Sequence, residues 1–106
     1  MTAIQDHMIY MIVVEHPKGD YVPERDVADL DRATTIKDIA NGEYEGVKQV
    51  LRFNPVEHTC DDVTSEIALA VSEIWDSEGE PLFDWQRDFI EQTIGIEAAH
   101  SFPRAA

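Results

Sequence analysis

Residues 47–53 read Val47-Lys48-Gln49-Val50-Leu51-Arg52-Phe53, and their assignment decides the fold. Two periodicities compete here. Tyr44, Val47, Val50 and Leu51 fit one stripe of a helix. Val47, Leu51 and Phe53 also share one face of a strand, with Lys48 and Arg52 on the other, and Val50 breaks the alternation. Gly42 and Gly46 arbitrate, because each costs about 1 kcal/mol inside a helix. A strand over 47–53 is expected, ended at Asn54-Pro55, since a residue before proline is pushed toward extended backbone.

Upstream, Met8-Ile9-Tyr10-Met11-Ile12-Val13-Val14 is apolar on both alternating faces, the pattern of a buried strand. A turn cluster follows at His16-Pro17-Lys18-Gly19-Asp20. Tyr21-Val22 reads as a short return strand stopped by Pro23. Residues 24–33 alternate acids and bases and suit a loop or a short solvated helix. Thr35-Ile36-Lys37-Asp38 has the form of a helix start with Thr35 as N-cap. Ile36, Ile39 and Ala40 would face the core, and Asn41-Gly42 is the stop signal. The interval between the two strands suits a βαβ unit with parallel neighbours.

Downstream, a helix is expected from about Asp62 to Glu78. Val63, Ile67, Ala70, Val71 and Ile74 form its core face, and Gly79 and Pro81 end it. A second helix follows over about Leu82 to Ile94. Phe83, Gln86, Phe89, Ile90 and Ile94 lie on one side, and Asp84, Asp88 and Glu91 on the other. Residues 96–100 can form one more turn. The expected fold class is α+β, a small single domain over 1–100 in the order βαβαα. It has a small N-terminal sheet, a helix-rich C-terminal half and a flexible tail at 101–106. Two strands alone leave unpaired edges. Either residues 21–22 pair with the sheet, or two copies join edge to edge as a homodimer.

The chain has 106 residues, a formal charge of −14 and a pI near 4.3. That charge argues against direct binding of nucleic acid, which needs clustered cations, and against docking on anionic membranes. The apolar run at 8–14 lacks the basic flank of a secretory signal and is far short of the roughly 20 residues that span a bilayer. Cys60 is the only cysteine, so no internal disulfide forms. A free thiol without an export signal points to the cytoplasm.

The charge is uneven. Residues 1–53 carry 10 acids and 6 bases, whereas residues 54–106 carry 12 acids and 2 bases. No Lys or Arg falls between Arg52 and Arg87. At about 100° per residue, Asp62, Glu66, Leu69, Glu73 and Asp76 form one helical stripe opposite the core face. An apolar residue ringed by one sign of charge is what a docking face for a basic partner looks like. The plainer reading is a solvated flank, since acids near a helix start are favoured by the dipole and exposed leucines are common.

Candidate chemistry centres on Glu57-His58-Thr59-Cys60-Asp61-Asp62. If the two strands were parallel neighbours, His16 would approach His58 and Cys60. Imidazole and thiolate ligands of that kind suit zinc or iron. Against this stand the absence of a C-x-x-C or H-E-x-x-H pattern and the reading of the segment as a surface loop with a capping Asp and a partly buried thiol. Cys60 as a nucleophile would need nearby positive charge, and its neighbours are acidic. Glu97-x-x-His100 is half of a two-metal carboxylate motif and has no second copy. Trp75 and Trp85 read as packing across the Gly79-Glu80-Pro81 turn, with an interface hot spot as the alternative. No phosphate loop or nucleophile elbow is present.

The sequence therefore favours a small acidic cytosolic binding or regulatory protein acting on a basic protein surface. In its sharper form it is a nucleic-acid mimic that inhibits a nucleic-acid-binding protein. This reading assigns no catalytic residue and no cofactor. Two alternatives are a metal-binding protein or metalloenzyme using His16, His58 and Cys60, and a structural subunit of a larger assembly.

Overall fold

A computed structural model describes residues 8–100 and Phe102. The elements are β1 (Ile9–Val14), α1 (Arg32–Ala40), β2 (Val47–Asn54), β3 (Thr59–Asp62), α2 (Thr64–Glu78), α3 (Asp84–Thr93) and α4 (Ile96–His100). A single 3-10 turn spans Val27–Asp29. The α+β class and the helix-rich C-terminal half are as expected, and β3 is an added strand. No helix of the described residues is long and apolar enough to cross a membrane.

Val50 is explained by a bulge. The three strands form an antiparallel sheet in the order β1-β2-β3. Val13 pairs with Gln49 but Val14 pairs with Val47, so Lys48 is one residue too many on β2. The bulge puts Val47 and Val50 on the same face although they are three apart in sequence, and both are buried. They meet Tyr10, Ile12 and Val14, the inward set of β1. Leu51 and Phe53, expected beside Val47, point the other way. With Ile9, Met11 and Val13 they form a half-buried apolar face away from the core.

The sheet is antiparallel where a parallel βαβ unit was expected, and the reason lies in residues 21–30. Tyr21 bridges Val14, and Tyr10 N–H donates to the Leu30 carbonyl at 2.8 Å. This segment therefore runs back along the outer edge of β1. The extra pass changes the parity of the crossings, so β2 begins beside the end of β1. Residues 21–30 are thus an edge cover; the short solvated helix expected as one reading of 24–33 is the exposed 3-10 turn Val27–Asp29, and residues 32–33 open α1. Arg25 pins the cover: its guanidinium donates to the carbonyls of Tyr10 (3.2 Å) and Asp29 (2.6 Å) and to Thr35 Oγ1 (3.1 Å). It also pairs with Asp38 at 3.4 Å, and its side chain is only 3% exposed. The outer edge of β1 is in this way bonded within the chain at Tyr10 and Val14.

Helix boundaries follow local hydrogen bonds. Asp31, not Thr35, caps α1, its carboxylate accepting from Thr34 N–H at 3.0 Å. Thr35 is buried inside the helix. β3 closes through a tight turn in which Asn54 Oδ1 accepts from the amides of Val56 (3.0 Å) and Glu57 (3.1 Å). His58 completes the turn at φ 57°. The helix then starts at Thr64, leaving Asp62 on β3. Thr64 Oγ1 accepts from Val50 N–H at 2.9 Å and donates to Asp62 Oδ1 at 2.5 Å, locking strand, turn and helix together.

The helices cover one face of the sheet. Ile36 and Ile39 of α1, Ile67, Val71 and Trp75 of α2, Phe89 and Ile90 of α3, Leu82 and Ala99 join the inward strand residues in one core. Full burial of each large apolar side chain stabilises by about 1.5–3 kcal/mol. Trp75 Nε1 donates to the Ala40 carbonyl at 3.1 Å, tying α2 to the end of α1. Phe83, expected on the core side, is 62% exposed. The side chain that takes the inward position on that helix is Arg87, which donates to the Phe102 carbonyl at 2.9 Å. The expected tail at 101–106 lies outside the described residues except for Phe102, which packs half-buried against the core.

Candidate functional site

The outer flank of α2 carries four of the five stripe residues. Glu66, Leu69, Glu73 and Asp76 are all exposed, and Leu69 presents 51% of its surface. They sit there because Ile67, Ala68, Val71 and Trp75 take the inward positions of the same helix. Asp62, the fifth, belongs instead to the end of β3. Its carboxylate accepts from Thr64 and from Gln49 Nε2 at 2.9 Å. The Thr64 hydroxyl, then Gln49 and the Thr64 amide, hold the Asp62 carboxyl below its ordinary value. Asp62 therefore works first as a joint between β3 and α2.

Most described bases are used within the fold. Arg25, Arg32, Lys48 and Arg52 pair with Asp38, Glu66, Asp20 and Asp61 respectively. Arg32 thus offsets the flank at Glu66, across 3.4 Å between two half-exposed side chains, and such pairs contribute about 0–1 kcal/mol. The side-chain carboxylates of Glu73 and Asp76 form no hydrogen bond or ion pair with a described residue. The flank is paired at its start and unpaired toward its end.

A second feature was not read from the sequence. Between the α1–β2 loop and α3 lies a pocket of about 160 Å³, lined by Ile39, Tyr44, Gly46, Val47, Trp85, Asp88, Phe89 and Gln92. Ile39, Val47 and Phe89 are buried and form its floor. Tyr44 is half-buried, while Trp85, Asp88 and Gln92 are exposed at its rim. Trp75 stands behind the wall, edge-on to Trp85 at 5.7 Å and to Phe89 at 6.0 Å between ring centres. Gly42 backs Trp85 so closely that a Cβ there would sit 3.2 Å from the indole. The sequence held a partial signal in its two tryptophans, but the loop aromatic Tyr44 joins them only through the chain reversal at Gly42 and Gly46. A groove lined by Lys48, Gln49, Asp62, Thr64 and Glu66 reaches Gln92, which also lines the pocket.

The three candidate metal ligands do not come together. The sheet is antiparallel, so the parallel arrangement that would have joined His16 to His58 does not occur. His16 lies in the turn after β1, beside the start of β2, where its Nδ1 accepts from Lys18 N–H at 3.1 Å. His58 lies in the turn beyond the end of β2. The eight residues of β2 separate the two turns, a span of about 24 Å at the rise of an extended strand. Cys60 is exposed on β3 opposite Phe53. Among the described residues no group of three or more His, Cys, Asp or Glu side chains is placed to hold a metal ion.

No family model matches the chain, and comparison with curated proteins and with solved structures finds no match.

Proposed function

We propose that this chain is a small, cytosolic, acidic binding protein that docks on a basic protein surface through the outer flank of α2. The observation that carries the reading is the flank itself: Leu69 half-exposed between Glu66 and Glu73, with Glu73 and Asp76 unpaired among the described residues. Of the four described cations in ion pairs, Arg32 pairs with the flank itself, at Glu66, whereas Arg25, Lys48 and Arg52 pair elsewhere, so Glu73 and Asp76 are the carboxylates left for a partner. A partner that brings lysines and arginines neutralises it, and Leu69 supplies apolar contact that excludes water around the charge pairs. The basic groove of a nucleic-acid-binding protein is the partner class with the densest such charge. In that case the protein inhibits by occupying the groove.

The test is retention of partner on the immobilised protein across a salt series. Retention at low salt that falls steeply as salt rises is expected, because exposed charge pairs are screened within about 10 Å at 0.1 M. The double variant Glu73→Lys, Asp76→Lys should lose the partner while its circular dichroism stays unchanged. Competing DNA or RNA should displace it if the partner's groove is the docking site. Salt-independent retention, or retention by the double variant, overturns the proposal.

A further inference from the structure

We infer that the pocket between the α1–β2 loop and α3 receives a cationic side chain, of lysine or arginine class, presented by a protein partner. Three aromatic rings, of Tyr44, Trp85 and Phe89, line a cavity whose polar rim consists of Asp88 and Gln92. Aromatic faces attract a cation through their quadrupole, and they do so best when the cation is partly desolvated. The volume of about 160 Å³ is close to that of an engineered cavity of about 150 Å³ that admits benzene, so one side-chain head group fits.

The sign of the charge is set by the surroundings. No lysine or arginine lines the pocket. The Asp88 side chain forms no hydrogen bond or ion pair with a described residue, so its carboxylate is free to meet an incoming cation. Glu43 and Glu45 flank Tyr44 in sequence and are exposed. The two bases adjacent in sequence to lining residues are both engaged, Lys48 by Asp20 at 2.7 Å and Arg87 by the Phe102 carbonyl at 2.9 Å. The walls are preformed: Trp85 is set between the edge contact with Trp75 and the backbone of Gly42. Preorganised walls reduce the ordering cost of binding. Gln92 joins the pocket to the groove that reaches Asp62 and Glu66, which gives a basic segment a path across the acidic surface. The source of the cation rests on the proposed basic partner, whereas the chemistry of the pocket does not.

The experiment titrates the full chain with blocked single residues: acetyl-lysine amide acylated only at its α-amine, its Nε-trimethyl form, and α-acetylated arginine amide. A fourth probe replaces the trimethylammonium by its uncharged tert-butyl counterpart of equal shape. Tryptophan fluorescence and amide shifts of Gly46 and Gln92 report occupancy. At least one cation should bind about tenfold more tightly than the neutral counterpart, and the order among the three identifies the head group. Asp88→Asn, an exposed and isosteric change, should weaken the cations but not the neutral probe. Trp85→Leu should abolish cation binding, whereas Glu73→Lys, Asp76→Lys should leave it intact. Equal binding of cation and neutral probe, or no shift at Gly46 and Gln92 with any cation, overturns the inference. Neither result touches the α2 flank. Cation binding together with a salt-independent partner would instead sustain the pocket and remove the flank reading.

Discussion

Replacing Gly42 by alanine separates backbone strain from side-chain contact at the pocket wall. Gly42 has φ 75°, in the left-handed region, where a residue with a Cβ costs about 1–2 kcal/mol. The new Cβ would also stand 3.2 Å from Cη2 and Cζ2 of Trp85. The indole must move by a few tenths of an ångström, and Trp75 limits that movement at a ring separation of 5.7 Å. Gly79 supplies the comparison, with φ 71° and nothing within 4 Å of its would-be Cβ. Gly79→Ala should therefore show the backbone cost alone, a fall in Tm of about 4–16 °C for a domain of this size. Gly42→Ala should fall further and should alter tryptophan emission and near-ultraviolet dichroism, which Gly79→Ala should leave as in the parent. It should also weaken the cationic probes. Thermal melts of the three proteins, recorded by both signals, decide the matter. Equal falls in Tm with unchanged tryptophan signals would refute the idea that Gly42 fixes Trp85.

Two further outcomes follow from other contacts. Thr64 and Gln49 hold the Asp62 carboxyl below 3.8, so the stability it contributes is complete above that pH and is lost as pH falls through the lower folded value. Urea melts from pH 6 to 2 should thus show a smaller acid loss in Asp62→Asn than in the parent, and an identical acid limb in both would count against the joint. Arg25→Met removes the donors to Tyr10, Asp29 and Thr35 and the partner of Asp38. A loss of about 1–3 kcal/mol is expected when partly buried acceptors lose a charged donor, with faster hydrogen exchange at the Tyr10 amide. Protection of Tyr10 equal to the parent's would show that the edge cover does not depend on Arg25.

Periodicity carried the helices and both main strands, because their inward faces are apolar and repeat at the period of the element. It misplaced faces where one residue disturbs the period: Lys48 adds a bulge, and Val50 turns inward with Val47 while Leu51 and Phe53 turn outward. β3 left no pattern because all four of its residues are exposed; it exists through the Asn54 turn and the Thr64 joint. Asp62 looked helical by spacing but is claimed by that joint. The strand direction depends on the return of residues 21–30 along an edge, a long-range event with no local signal beyond Tyr21. The α2 flank was legible from charge and angle alone. The pocket was not, since Ile39, Tyr44, Trp85 and Asp88 come from three separate elements.

The order of the chain gives the Arg25-pinned edge a consequence for biosynthesis. β1 leaves the ribosome before the strand that pairs with its inner side, so the most apolar segment of the molecule waits without its hydrogen-bonding neighbour. The β2–β3–α2 joint closes over short separations, and such contacts form fast, whereas pairing β1 with β2 must close a far longer loop. Until then the strand edge is open to other copies, and the net charge of −14 opposes such contact once the chain is complete.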